Sequence, residues 1–364
     1  MNSHHNNVLI VGASGLVGMS AVREFHRAGW NVIALSRRKP DVNYSNNYSH
    51  ISVDLLDQDE CNYAVRSFKK VSHIVYAAVY EKPGLIEGWL DEDQISKNYQ
   101  MIRNIIEPFS KLSTLKHVSL LQGTKAYGIH LHPMRIPAKE TDPRDDHHNF
   151  YWLQEDYLKQ KSKDEGINYT IFRPSIIFGE SHGASMGLAQ ALGAYAAICR
   201  ELKQPCSFPG GPSFIWEASD SRLVAKALLW STEAATAVNQ IFNVTNGDVF
   251  EWRALWPILV RVIGGELGPD NPRMIAEWML EHSHVWDRLT KKYALRDIPL
   301  KEYLGESHYF SEFCLACGMK EPPPPAFVST IKIRKAGFYE VQDTEEMFEF
   351  WLRKLVSQGY LPSV

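Results

Sequence analysis

The sequence predicts an α/β fold: a doubly wound parallel sheet with a smaller, mostly helical C-terminal substrate domain. Three observations predict it. Short β-branched runs alternate with longer amphipathic segments from Val8 onward, a glycine-rich turn follows the first run, and the pattern becomes mostly helical after Asn246. The 364 residues, 45% hydrophobic and 22% charged with a formal net charge of -3, have an ordinary globular composition that excludes the disordered and collagen-like classes.

Val8-Leu9-Ile10-Val11 reads as the first strand. Val17, Ala21 and Phe25 recur at four-residue spacing in the helix that follows, so one apolar stripe can lie on the sheet, and Gly29 ends it. Further strands are expected at 32–35, 50–53, 73–79, 117–121, 169–172 and 241–244. The alternation breaks after Gly179. Pro209-Gly210-Gly211-Pro212 marks a loop before the chain rejoins the sheet near Trp216, and Pro322 to Pro325 form a stiff connector. The domain plan is a dinucleotide-binding Rossmann domain over 1–179, rejoined by about 215–247, and a substrate-binding cap made of 180–214 and 248–364.

A sequence pI near 6.5 and the lack of a basic stripe exclude nucleic acid as a partner. Residues 1–7 are polar and no apolar run is long enough to span a bilayer, so the expectation is a soluble cytoplasmic protein with no membrane partner. Five cysteines, an odd number, fit a reducing compartment. Cys314 and Cys317 have metal spacing without a second ligand pair, and His147-His148, His282 and His284 also lack partners, so no metal is expected. A homodimer is the default assembly.

Gly12, Ser14, Gly15, Leu16, Val17 and Gly18 stand between the first strand and its helix. There glycines let the backbone approach a pyrophosphate and the helix N-terminus stabilises its charge. At the end of the second strand, where an acidic residue would take the ribose of NAD, the chain has Ser36-Arg37-Arg38, a fork suited to a 2′-phosphate and hence to NADPH. Asp54, with Leu55, is placed for the adenine, or to cap its own loop.

Tyr157 and Lys161 match the Tyr-x-x-x-Lys spacing that lets a lysine assist a phenolic acid. They are set aside, because they stand too close to Arg173-Pro174 and Tyr157 points to another side of the helix than Tyr151. The alternative pair is Lys125 and Tyr151, from Leu121-Gln122-Gly123-Thr124-Lys125-Ala126-Tyr127-Gly128 and Asn149-Phe150-Tyr151-Trp152-Leu153-Gln154-Glu155-Asp156. The residues alone leave Tyr151 open between an acid and a packing aromatic, Lys125 between a catalytic cation and a surface charge, and Tyr127 between pocket wall and core.

These two segments resemble the signatures of the progesterone 5β-reductase and iridoid synthase family, a divergent branch of the extended short-chain dehydrogenases/reductases. The similarity continues through Arg173 to Gly179, Tyr195 to Cys199 and Phe242 to Phe250, and so covers nearly the whole chain. Trp152 stands where many members have a second tyrosine, and Val79 where an aromatic is frequent. The resemblance implies NADPH-dependent reduction of the carbon–carbon double bond of α,β-unsaturated carbonyl compounds, with Lys125 and Tyr151 catalytic.

Hydride arriving at the β-carbon of an enone drives charge onto the carbonyl oxygen, where Tyr151 would stabilise the enolate. Lys125 would lower the tyrosine pKa and hold the nicotinamide ribose. Ile177 and Phe178, with the loop 179–187, would line the nicotinamide side, and the cap's aromatics favour a small apolar enone. Two other functions remain open at this point: a carbonyl reductase using the same tyrosine, and a non-catalytic NADP(H)-sensing regulator.

Overall fold

The computed structural model describes residues 6–42, 48–82, 87–181 and 183–364. Residues 1–5, part of the polar N-terminal stretch, and His182, within the loop 179–187, lie outside the described residues. The chain runs through β1 (Asn7–Val11), α1 (Leu16–Arg27), β2 (Asn31–Leu35), β3 (Tyr48–Ile51), α2 (Gln58–Ser67), β4 (His73–Tyr76), α3 (Glu92–Ser110), β5 (His117–Leu121), α4 (Phe150–Glu165) and β6 (Asn168–Pro174). Next come β7 (Ile176–Phe178), α5 (Leu188–Glu201), β8 (Ile215–Trp216), β9 (Ala218–Asp220), α6 (Ser221–Ser231), β10 (Gln240–Val244) and β11 (Phe250–Glu251). Helices α7 (Trp252–Ile263), α8 (Ile275–Glu281), α9 (Ser283–Lys292), α10 (Leu300–Leu304), α11 (Ser307–Cys314), α12 (Ile331–Lys335) and α13 (Thr344–Ser357) complete it.

One unit comprises Met1–Ser175, Ser221–Thr245 and Val328–Glu340. Its sheet has seven parallel strands in the order β10-β6-β5-β4-β1-β2-β3. Successive side chains of a strand face opposite sides. Leu9, Val11, Ile33, Leu35, Ile74, Tyr76, Val118, Leu120 and Ile171 accordingly form one core with Ala64, Ile102, Ile105, Ile106, Phe109 and Leu158 of α2, α3 and α4. α1 and α6 pair with each other, joined by a buried hydrogen bond of 2.8 Å between Ser20 and Ser221. As the sequence predicts, Val17, Ala21 and Phe25 are buried, and Gly29, at φ +81°, closes α1. β4 stops at Tyr76, short of the expected 79, because the chain leaves the sheet at Ala77 and Ala78 to pass Gly12.

The edge strand β10 is covered. Its Asn243 N–H donates to Glu140 Oε1 at 2.9 Å, and its side-chain amide donates to Ala138 O and Ser329 O. An edge whose polar groups are met in this way is closed to further strands. The sequence reading assigned 248–364 to the cap without a break. Instead, Val328–Glu340 belongs with the sheet, because Val328 bridges to Ala138 and Lys332 stands over the Phe242 ring at 5.3 Å.

The other unit comprises Ile176–Asp220, Asn246–Phe327 and Val341–Val364. β7 pairs with β9 and β8 with β11, and the remaining elements are helices. α5 is buried from Leu188 through Cys199, which explains why it is apolar on every side. Tyr195, Trp252, Trp256, Trp286, Phe348 and Trp351 pack in the same core. Among the described residues no helix is long and apolar enough to cross a membrane.

Candidate active site

Gly12 lies where the strand order reverses, since β2 and β3 extend to one side of β1, and β4 and β5 to the other. Such a switch point opens a crevice at the carboxyl ends of the strands. Gly12 has φ +84°, and a Cβ there would stand 2.7 Å from Ala78 N; one on Gly18 would collide with the Gly12 carbonyl. The turn is held by Gly12 N–H and Ala13 N–H, both donating to Leu35 O. Gly15 caps α1 without a side-chain hydrogen bond. The first-turn N–H groups of a helix have no partner within it, so Leu16, Val17 and Gly18, with Ser14 in the turn, fit a pyrophosphate. Ser36 Oγ donates to Arg38 O at 2.6 Å, shaping the turn after β2 on which Arg37 and Arg38 stand exposed. Asp54 Oδ1 accepts from Leu56 N–H at 3.0 Å and so caps its own loop, while Leu55 is buried in the sheet core.

Tyr151 stands in the first turn of α4. Asn149 is the N-cap, its Oδ1 accepting from Tyr151 N–H at 2.9 Å and its Nδ2 donating to Lys125 O at 3.3 Å. One side chain thus joins the two segments that the sequence paired. Gly123 presents no side chain to the phenol: a Cβ would stand 3.5 Å from Tyr151 Oη. Among the described residues no group hydrogen-bonds that hydroxyl. Burial, aided by the negative charge of Glu81 and opposed by Arg173, holds the phenol well above the ordinary tyrosine value.

That direction corrects the expectation that Lys125 lowers the tyrosine pKa. Lys125 Nζ lies 3.9 Å from the centroid of the Trp89 ring and 3.8 Å from Glu81 Oε1. Burial depresses its own pKa to about 8, against the pull of Glu81. Burial, reinforced by the carboxylate and only partly opposed by Arg173, therefore keeps the proton on the phenol. Glu81 also accepts from Trp89 Nε1 at 3.2 Å, and Trp89 stands edge-on to Tyr151 with centroids 5.0 Å apart. The sequence reading missed Glu81 and Trp89, since a carboxylate in the segment after β4 looks like any surface acid.

Behind Tyr151 a polar network ties the three signature segments together. Gln122 Nε2 donates to Tyr151 O at 2.9 Å, Arg173 Nε donates to Gln122 Oε1 at 2.9 Å, and Arg173 Nη2 meets Glu155 Oε2 at 2.9 Å with both side chains below 5% exposure. Arg144 and Lys159 hold the other oxygen of Glu155. Desolvation pushes that carboxyl up, but these cations and hydrogen bonds outweigh it and hold it below its ordinary value. Trp152 lies against the guanidiniums of Arg144 and Arg173. Tyr127 donates to Asn243 Oδ1 at 2.5 Å and is core, not pocket wall.

Tyr157 Oη donates to Glu107 Oε2 at 3.1 Å and Lys161 Nζ meets the same oxygen at 2.8 Å, so that pair is engaged with a carboxylate of α3. Phe178 is fully buried among Phe250, Trp252 and Phe348, so its side chain is core of its unit and leaves only backbone for a cofactor; Ile177 beside it is half-buried. In the loop 179–187, Gly183 N–H donates to Tyr303 O and Gly187 N–H to Ser307 Oγ. Cys314 and Cys317 are free thiols, the second pushed up to about 12 by burial, and among the described residues no group of three or more His, Cys, Asp or Glu could hold a metal.

A model of the NAD dependent epimerase/dehydratase family matches residues 8–245. The chain belongs to that family. The family's cofactor is a nicotinamide dinucleotide, in keeping with the glycine turn at the switch point. Among relatives, an (S)-8-oxocitronellyl enol synthase of Nepeta cataria is 29% identical over 380 residues, covering 98% of this chain and 91% of that protein. Another, of Antirrhinum majus, is 27% identical over 387 residues, covering 99% and 94%. Among solved structures, an epimerase of Methanothermobacter thermautotrophicus has a TM-score of 0.69 at 16% identity, covering 97% of this chain and 93% of that one. The fold is that of the extended short-chain dehydrogenases/reductases, and the relatives bear out the resemblance to the iridoid synthase branch.

Proposed function

We propose that this chain uses NADPH to reduce the carbon–carbon double bond of α,β-unsaturated carbonyl compounds, with Tyr151 and Lys125 as the catalytic pair. The observation that carries this reading is the state of Tyr151: a phenol kept protonated, with its hydroxyl unclaimed by any described residue and locked in place through its own backbone. A protonated donor aimed at a carbonyl oxygen stabilises the charge that develops there as the enolate forms. The named relatives, both enol synthases, support the same class of chemistry.

Bound NADPH supplies the hydride. Leu16, Val17 and Gly18 at the α1 N-terminus would hold its pyrophosphate, and Arg37 and Arg38 its 2′-phosphate. Lys125, an ammonium at neutral pH, adds positive charge near the enolate and can donate to a ribose hydroxyl. The substrate is a small, largely apolar enone or enal.

The test is consumption of NADPH and of NADH with paired enones and saturated ketones, products identified by mass, with Tyr151→Phe beside wild type. Saturated carbonyl products from enones alone, NADPH preferred, and a loss of about 10²- to 10³-fold in turnover in the variant are expected. Allylic alcohols, or a variant of wild-type turnover, would overturn the reading.

A further inference from the structure

Around Trp89, beside the catalytic pair, the described residues leave several buried polar atoms unmet. Glu81 has a side chain 6% exposed; its Oε1 takes Trp89 Nε1, yet its Oε2 is buried with no hydrogen-bond donor. Both ring nitrogens of His130 are buried without a partner, and so is His147 Nδ1. The His130 ring stands 6.0 Å from Trp89 and 5.2 Å from His147. The same Trp89 ring takes Lys125 Nζ at 3.9 Å and faces Tyr151 at 5.0 Å. Unmet buried polar groups are rare because each forgoes the hydration it had in the unfolded chain. Gathered on one aromatic wall with the catalytic residues, they are complementary to a ligand carrying its own polar group.

We propose, resting on the enone-reductase reading above, that Glu81 and His130 form a hydrogen-bonding subsite for a hydroxyl group of the substrate, making hydroxylated enones the preferred substrates. The chemistry of the unmet atoms selects this group. A carboxylate oxygen accepts only, so the ligand must donate. A cationic donor is disfavoured, because Lys125 already supplies a positive charge next to Glu81. Burial, with the charges of His147 and Lys125, keeps His130 neutral, its pKa lowered to about 4. A neutral imidazole offers one donor and one acceptor, which a hydroxyl matches. A ribose hydroxyl of the cofactor has the same chemistry, and the experiment separates the two sources.

The experiment measures kcat/KM for cyclohexenone and for its monohydroxy derivatives on the saturated ring carbons, with wild type, Glu81→Gln and His130→Phe, together with the KM for NADPH. The readout is the ratio of hydroxylated to parent substrate, which a merely structural loss would leave unchanged. Wild type is expected to favour at least one hydroxylated compound by about tenfold to a hundredfold, the usual range for a hydrogen bond to a charged acceptor. Glu81→Gln, which keeps an oxygen for Trp89, is expected to bring the ratio near unity, and His130→Phe to lower it. A wild-type ratio near unity, or a ratio unchanged by Glu81→Gln, overturns the subsite. A raised KM for NADPH with the ratio unchanged assigns the donor to the ribose and overturns the substrate assignment. If no enone is turned over, the enone-reductase reading itself falls, a result distinct from turnover without preference.

Discussion

At the scale of the residue, the most informative group is Lys125. Its pKa of about 8 is set by burial against the aromatic wall, only partly offset by Glu81. Below that pH it is an ammonium; above it the charge is lost, and with it the stabilisation proposed for the enolate. kcat/KM is therefore expected to fall tenfold per pH unit above about 8, and Lys125→Met to lower activity and abolish that limb of the profile. A profile flat to pH 10 in wild type would exclude a role for the ammonium. Tyr151 contributes no such limb, since its phenol titrates well above the ordinary range. Spacing alone pointed to Tyr157 and Lys161, and it was the resemblance of the two segments around Gly123 and Asn149 that singled out Lys125 and Tyr151. The sequence reading misjudged the sign of the tyrosine shift, because burial, which no motif announces, dominates it, and the carboxylate that adds to it, Glu81, comes from a third segment.

At the scale of the element, α4 is held as a unit. Its N-cap binds the Lys125 segment, its first-turn carbonyl binds Gln122, and its second turn offers Glu155 to Arg173 on β6. Removing one partner of a buried pair leaves the other charge uncompensated, which destabilises by about 3–5 kcal/mol. Arg173→Met is expected to show that loss in urea unfolding and to reduce turnover through the Gln122 link; a variant within 1 kcal/mol, roughly the uncertainty of such extrapolations, would show the network to be dispensable. The sequence signatures are therefore legible for a physical reason: Gln122, Arg173 and Glu155 complete one another's hydrogen bonds, and Asn149 ties the Tyr151 and Lys125 segments together. Strand ends were read less well. β4 stops where its chain must pass Gly12, a close approach that no local pattern announces.

At the scale of the whole molecule, the parallel sheet encloses a pair of histidines in register, His73 on β4 and His117 on β5, with rings stacked 6.0 Å apart. Burial lowers them to about 4 and about 3, respectively, with Lys116 assisting at His73 and the neighbouring His73 ring at His117. The unfolded chain binds protons there from about pH 6.5 downward while the folded chain does not, so stability falls as the pH drops through that window. A loss on the order of 2 kcal/mol for each ring between pH 6.5 and 5 is expected, and His117→Phe should remove that one ring's share of the acid sensitivity in chemical denaturation. The alternating layers, the glycine turn and the helical C-terminal part were all visible as periodicity. The return of Val328–Glu340 to the sheet was not, because a five-residue helix after four prolines carries no sign of the distant strand it meets.

That return bears on how the protein is made. Strand β10 and the segment that covers its edge are separated by more than eighty residues of the other unit, Asn246–Phe327. At a translation rate of about 5–20 residues per second, several seconds pass with only Ala138 and Glu140 available to that edge before Val328–Glu340 emerges. During that interval the edge of the nascent sheet is only partly covered, and a chaperone that shields extended backbone has its clearest opportunity there.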